Sequence, residues 1–230
     1  MAAHDVSGTD HKTALFEGFA AVGRALSSAS RLRLLDLLAQ GERPVDGLAG
    51  AAGLTVANAS QHLQVLRRAG LVTARRDGVR ILYRPAGDEV LRLWLSLQDL
   101  ASARAPEVER AARDYLGEDV EAIGREELVA RLGSGGLVVL DVRPRVEFAA
   151  GHIQGARSVP LDELEARLAE VPADAEVVAY CRGAYCVYAH EAVRRLRAAG
   201  RRARRLEGGW PEWRLAGLPH VTPSHQERSR

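Results

Sequence analysis

Residues 55–84 read Thr55-Val56-Ala57-Asn58-Ala59-Ser60-Gln61-His62-Leu63-Gln64-Val65-Leu66-Arg67-Arg68-Ala69-Gly70-Leu71-Val72-Thr73-Ala74-Arg75-Arg76-Asp77-Gly78-Val79-Arg80-Ile81-Leu82-Tyr83-Arg84. Two periods meet here. Up to Gly70 the apolar residues Ala59, Leu63 and Leu66 recur at helical spacing, with Thr55 as N-cap and Gly70 as stop. Beyond it, 71–76 and 79–84 read as strands joined by an Asp77-Gly78 turn, a strong hairpin signal. At about 100° per residue, Ala57, Gln61, Gln64 and Arg68 point away from the apolar side, with Asn58 and Ser60 flanking.

Working outward, Leu15, Phe19, Val22 and Leu26 paint one stripe of a first helix. Ser30 opens a second, rich in leucine and stopped by Gly41, and a short helix fits Val45 to Ala52. After the hairpin, Val90, Leu93, Trp94, Leu97 and Leu100 mark a long helix, which Pro106 kinks or follows with a new segment. An apolar helix gives way to acidic residues near Gly117, so residues 1–116 are read as one domain and 117–220 as a second. Residues 221–230 form a polar tail expected to be disordered. In the second domain, 137–140 and 177–180 are short buried-type strands, each followed by helical segments, which predicts an α/β fold with a parallel sheet.

Composition narrows the function classes. Hydrophobic residues make up 47% and charged residues 27%, the balance of a soluble globular chain. No apolar run approaches the ~20 residues that span a bilayer, and residues 1–5 carry no targeting signal, so a cytoplasmic location without membrane contact is expected. A formal net charge of +2 requires any nucleic-acid contact to come from a local basic patch.

Such a patch is present. Gln and Asn pair bidentately with adenine, and Ser suits a base or a phosphate, which makes Asn58, Ser60, Gln61, Gln64 and Arg68 groove-compatible. Arg75, Arg76 and Arg80, with Arg67 and Arg84, suit the phosphate backbone. A polar helix face or a basic hairpin alone marks only a solvated surface; their order is what carries meaning. Residues 30–84, taken in that order, resemble the ArsR family of winged-helix repressors. The resemblance implies a homodimer built on the first and last helices, and Ser60 and Gln61 at the start of a helix that reads an inverted-repeat site in duplex DNA. His62 also matches and is read as a packed, hydrogen-bonded residue. Metal-sensing members carry cysteines where this chain has 45–50, or His and carboxylate ligands on the last helix. This half has no cysteine and that helix no histidine, so no metal is expected.

The two cysteines lie together in Cys181-Arg182-Gly183-Ala184-Tyr185-Cys186, between the apolar strand and a helical segment ending at Gly200. A strand-loop-helix connection turns backbone N–H groups and a helix N-terminus into the loop, making an anion site. With Arg182 nearby, Cys181 is expected to be acidified toward the thiolate that attacks sulfur. Gly183 relieves a tight loop. Leu140-Asp141-Val142-Arg143, Glu147-Phe148, Gly151-His152-Ile153-Gln154-Gly155-Ala156, Val159-Pro160, Gly208-Gly209-Trp210-Pro211-Glu212-Trp213 and Ala216-Gly217-Leu218-Pro219 add to this. Residues 120–219 thereby resemble rhodanese sulfurtransferases.

That resemblance implies a Cys181 persulfide and a site of Cys181, Arg182, Gly183 and Cys186, with Asp141, Arg143 and His152 holding the fold and no cofactor. Related phosphatases have a longer loop closed by Arg, so phosphatase chemistry is disfavoured. Many sulfurtransferases place Arg where this chain has Cys186, which weakens the case for thiosulfate as donor and favours polysulfide. Arg182 is then the remaining anion contact, and Cys186 is placed to resolve a persulfide into a disulfide or polysulfide bridge. The favoured reading is a DNA-binding regulator, a repressor, that senses reactive sulfane sulfur. The alternative is a sulfurtransferase whose winged helix dimerises or targets it. A partner-binding domain without chemistry is disfavoured by the retained cysteine.

Overall fold

Helical spacing, caps and turn residues build the first unit much as the sequence predicts. The computed structural model describes residues 6–117, 120–133 and 135–222, and most of the expected tail therefore lies outside the described residues. The chain divides into two compact units, Met1–Trp94 and Leu95–Arg230. In the first, α1 (Val6–Leu26), α2 (Ala29–Leu38), β1 (Arg43–Pro44), α3 (Val45–Ala52) and α4 (Val56–Arg68) precede the hairpin β2 (Val72–Asp77) and β3 (Arg80–Pro85), and α5 (Asp88–Arg104) follows. The three strands pair antiparallel in the order β1-β3-β2.

Thr55 caps α4 by accepting the Asn58 N–H at 3.2 Å. Gly70, at φ 72°, ends the helix in the left-handed conformation that glycine adopts without strain. Ala59, Leu63 and Leu66 are fully buried with Leu34, Leu35, Leu38 and Leu48. The α1 stripe is only half used: Ala25 is buried, whereas Leu15, Phe16 and Phe19 are more than half exposed.

The wing turn sits one residue later than the Asp77-Gly78 reading. Asp77 pairs with Arg80, leaving Gly78 and Val79 at the corner. Gly78 has φ 59° and stands first of the two, the position at which a type II′ turn takes glycine.

In the second unit, α6 (Pro106–Leu116) is a new helix, because Pro106 occupies its first turn after α5 ends at Arg104. Then come β4 (Ala122–Ile123), α7 (Arg125–Arg131), β5 (Leu137–Asp141), α8 (Arg145–Ala150), β6 (His152–Ile153), β7 (Arg157–Ser158), β8 (Glu176–Tyr180), α9 (Val187–Ala198), β9 (Arg202–Leu206), α10 (Trp210–Leu215) and β10 (His220–Val221). Five strands form a parallel sheet in the order β4-β9-β8-β5-β7. β6 and β10 form a separate antiparallel pair, which takes Val221, the first residue of the expected tail, into a strand. Sequence reading places α6 in the first domain. Here it falls in the second unit, where the Arg194 guanidinium donates to the Leu116 carbonyl.

β8 runs through the middle of the sheet with both faces buried. Val177, Ala179 and Cys181 join one apolar cluster with Ala189, Ala192, Val193 and Leu196 of α9. Val178 and Tyr180 join the other, with Leu128, Trp210 and Trp213. Among the described residues, no helix is long and apolar enough to cross a membrane.

Removing side-chain volume at the base of α4 tests this packing. Leu63→Ala is expected to cost about 2–5 kcal/mol, read as a lower denaturation midpoint of the first unit. Val65→Ala, on the exposed side of the same helix, is expected to change it by less than about 0.5 kcal/mol.

Candidate functional site

On α4, burial of Ala59, Leu63 and Leu66 forces the opposite face outward. Asn58, Gln61, Gln64 and Arg68 are exposed there, with Ala57 and Arg67, while Ser60 and His62 are half-buried. Strand alternation sorts the wing arginines by face. Thr73, Arg75 and Asp77 pair with Arg84, Leu82 and Arg80, so Arg75, Arg80 and Arg84 share one face, and Arg76 lies on the other with Ile81.

These arginines are not equivalent. Arg75 forks onto Glu42, its Nε 2.9 and 3.0 Å from the two carboxylate oxygens and its terminal nitrogen 2.6 Å from one. That hydrogen bond, against a small cost of burial, raises the Arg75 pKa. Arg76 donates to the Gly78 carbonyl at 3.0 Å, so it braces the turn. Among the described residues, Arg80 and Arg84 are exposed and carry no ion pair. The sequence reading gave Arg75 the same role as Arg80; Glu42, far away along the chain, distinguishes them.

The second cluster is built at the C-terminal ends of β5 and β8. Asp141 and Arg143 are both fully buried. The Arg143 Nε donates to both Asp141 oxygens at 2.9 and 3.1 Å, and its terminal nitrogen reaches Asp141 at 2.5 Å and the Gly151 carbonyl at 2.7 Å. The Tyr180 hydroxyl donates to Asp141 at 2.5 Å and accepts the Ile153 N–H at 3.1 Å. Burial first, and then the Asp141 charge, push the Tyr180 hydroxyl well above its ordinary pKa. Arg143 lies over the rings of Tyr180 and Trp210 at 5.5 and 5.2 Å. His152 stacks on Phe148 at 3.7 Å and bonds that residue's carbonyl at 2.9 Å.

The loop 181–186 begins immediately after Tyr180. Cys181 is 1% exposed, and its Sγ faces the carbonyls of Cys186 at 3.3 Å and Gly183 at 3.9 Å. Cys186 is half-buried and forms the N-cap of α9. Both cysteines are free thiols. Gly209 presses on the loop from α10: a Cβ there would lie 2.4 Å from the Gly183 nitrogen and 2.5 Å from the Cys181 oxygen. Only glycine permits that approach, which lets the Trp210 N–H bond the Cys181 carbonyl at 3.0 Å.

Electrostatics reverse the expected acidification of Cys181. Burial, then the neighbouring Cys186, push the Cys181 thiol well above the ordinary cysteine value. Cys186 is drawn below it by the Cys181 hydrogen bond, against the cost of burial, with help from the Arg182 and Tyr188 N–H groups and the Arg182 charge. Arg182 is itself engaged: it forks onto the fully buried Glu147 at 2.6–3.0 Å and lies over Tyr188 at 5.4 Å. Burial opposes its charge, but Glu147 holds the guanidinium above its ordinary pKa.

Four partners carried no role in the sequence reading: Glu147, Tyr188, the buried His190, whose Nδ1 is 3.4 Å from the Cys186 carbonyl, and Tyr115. Partial burial, then the charges of Cys186, Tyr188 and Cys181, raise the Tyr115 hydroxyl, so the end of α6 lies within electrostatic reach of the cysteine pair. Only Glu147 left a local signal, in the quoted Glu147-Phe148 match. Among the described residues, no group of three His, Cys, Asp or Glu side chains is placed to hold a metal ion.

The fold and these two clusters define a winged helix-turn-helix regulator joined to a rhodanese-like domain. Residues 28–74 match the family described as bacterial regulatory protein, arsR family, and residues 124–216 match the rhodanese-like domain. HTH-type transcriptional regulator Rv0324 of Mycobacterium tuberculosis is 51% identical over 211 residues, which are 92% of this chain and 93% of that protein. A sulfurtransferase of Allochromatium vinosum is 34% identical over 105 residues, 45% of this chain and 97% of its own length. A solution NMR structure described as the homodimeric winged helix-turn-helix DNA-binding domain (fragment 1-100) Mb0332 from Mycobacterium bovis is 46% identical. It covers 46% of this chain and 94% of that one, with a TM-score of 0.41. The chain belongs to the ArsR family of HTH-type transcriptional regulators and carries a rhodanese domain at its C-terminal end.

Breaking the buried pair tests its part in holding the loop. Asp141→Ala leaves the Arg143 charge without its partner and is expected to destabilise the second unit by about 3–5 kcal/mol. Arg75→Ala breaks a surface pair and is expected to cost at most about 1 kcal/mol. Thermal denaturation of both variants checks the contrast.

Proposed function

We propose that this cytoplasmic regulator acts as a homodimeric repressor at an inverted-repeat operator, and that sulfane sulfur taken up by Cys181 and Cys186 changes its affinity for DNA. The observation that carries this reading is a pair of free cysteines in one loop, the Cys181 Sγ 3.3 Å from the Cys186 carbonyl, in a chain that also presents an exposed Gln61 and Gln64 face. The exposed Leu15, Phe16 and Phe19 of α1 supply apolar surface for a second copy to cover. Donor choice follows from charge. With Cys186 in place of a closing arginine and Arg182 forked onto Glu147, the loop offers a dianion such as thiosulfate little cationic help. A polysulfide is therefore the better donor.

A second reading is favoured by the 34% identity to a sulfurtransferase over nearly all of its length: catalytic sulfur transfer, with the winged helix dimerising or targeting the chain. Operator binding by reduced and polysulfide-treated protein separates the two. Coupling of the size common between linked sites, about 1–3 kcal/mol, would change affinity roughly 5–150-fold, with release as the expected direction. Equal affinities in the two states, with sulfur transfer intact, favour the enzyme.

On the DNA side, Gln61→Ala is expected to relax base preference by about 1–3 kcal/mol at one position of the half-site. Arg80→Ala is expected to weaken all sequences alike and to lower the salt slope by about one. Binding titrations over a range of salt concentrations, on specific and scrambled duplexes, measure both.

A further inference from the structure

The loop 181–186 contains one charged residue, Arg182, and its surroundings engage that charge. The Arg182 Nε lies 3.0 Å from both Glu147 oxygens, and one terminal nitrogen lies 2.6 Å from Oε1. The Glu147 side chain is fully buried and that of Arg182 is 19% exposed, so water screens the pair little. From α9, the Tyr188 ring meets the guanidinium at 5.4 Å, which helps to fix it against Glu147. The buried Arg143 is neutralised in the same way, by Asp141, and also donates to the Gly151 carbonyl. A second carboxylate stands at the loop itself. A Cβ on Gly183 would lie 3.3 Å from a Glu212 oxygen, and the Gly209 N–H holds Glu212 there at 3.0 Å. One loop cation therefore faces two carboxylates.

We infer that Glu147 is the donor-selecting residue of the loop: it withholds the Arg182 charge and so turns away donors whose leaving group is a compact oxyanion, thiosulfate among them, in favour of donors made of sulfur alone. This rests on the sulfur-uptake reading above and adds the residue that sets the substrate class. With thiosulfate, the Cys181 thiolate attacks the outer sulfur. A Sγ–S bond forms, the bond to the sulfonate breaks, and the electron pair leaves on sulfite. Sulfite carries its charge on three strongly hydrated oxygens, and in a loop with little water it needs a cation within hydrogen-bond reach. With a polysulfide the same Sγ–S bond forms, and the electron pair leaves on a shorter sulfur chain. That charge is soft and weakly hydrated, and sheds water at lower cost. In both cases the thiolate charge ends on the Cys181 persulfide, and no outside oxidant is consumed.

Glu147→Gln keeps the shape of the side chain and an oxygen for Arg182 to bond, yet removes the opposing charge. Reduced full-length protein is mixed with sodium thiosulfate or with sodium tetrasulfide and quenched. Intact mass then reports the gain of one sulfur, or the loss of the two thiol hydrogens where a bridge follows. The readout is the ratio of the thiosulfate rate to the tetrasulfide rate. Glu147→Gln is expected to raise it about tenfold, the scale of one charge-assisted hydrogen bond restored. Adding Arg182→Gln is expected to bring the ratio back close to wild type, which a merely structural role for Glu147 would not do. Glu147→Asp, one methylene too short to keep the fork, is expected to move the ratio the same way by less.

An unchanged ratio in folded Glu147→Gln, or a rise that persists without Arg182, overturns the inference. Where the Gln variant does not fold, an unchanged ratio in Glu147→Asp does the same. Calorimetric titration of thiosulfate into the unreactive Cys181→Ser chain, with and without Glu147→Gln, tests the charge assignment apart from any reaction. Equal binding counts against it. Tighter binding with Glu147→Gln, alongside no sulfur uptake from tetrasulfide by the wild type, supports the charge assignment and removes the sulfur-uptake reading of the preceding subsection instead.

Discussion

β8 can occupy the middle of the parallel sheet only if both of its faces are filled, and this constraint fixes the chemistry at its end. Because side chains alternate, Val177, Ala179 and Cys181 must face α9 once Val178 and Tyr180 face the tryptophans of α10. A slip of one residue would place the Cys181 thiol against the buried Arg143 and the Tyr180 phenol in the α9 core. The Asp141 carboxylate blocks that slip. It accepts from the Arg143 side chain and backbone N–H and from Tyr180, tying the ends of β5 and β8 together. Strand register, a buried ion pair and the position of the reactive loop are therefore one structural fact.

A loop held this rigidly has few charges to spend. Arg182 lies in the loop itself, yet its Nε and one terminal nitrogen are bound to Glu147, and the pair is largely buried. Freeing it for a ligand would leave the Glu147 carboxylate buried alone, a cost of several kcal/mol in comparable pairs. Negative charge in the loop would thus rest on backbone N–H groups and the α9 terminus.

What was legible in the sequence was local. The burial of Ala59, Leu63 and Leu66, the Thr55 cap, the Gly70 stop and the strand–loop–helix around Cys181 all follow from spacing and turn chemistry within about a dozen residues. The misplacements share the opposite cause. The wing turn shifted by one residue because the pairing of Asp77 with Arg80 sets the corner, and an Asp-Gly dipeptide fits either of two registers. Arg75 reads as a phosphate contact, and no local signal pointed to its ion pair with Glu42, 33 residues earlier. Cys181 read as acidic from its place after a strand, but its burial and the neighbouring sulfur are products of tertiary packing. Tyr115 left no sequence signal, since it depends on α6 lying beside α9.

That last placement matters for how a sulfur signal could leave the loop. Joining the two cysteines would remove the ionisable thiols whose charge raises the Tyr115 hydroxyl, and would alter the Cys186 backbone that caps α9. The Arg194 guanidinium, two turns further along α9, holds the Leu116 carbonyl at the end of α6. One helix thus carries the Cys186 N-cap at one end and the α6 tether further along. Small shifts in a closely packed helix move as a unit rather than dissipate. Within the second unit, then, α6 is the element on which charge and cap geometry at the cysteine pair converge.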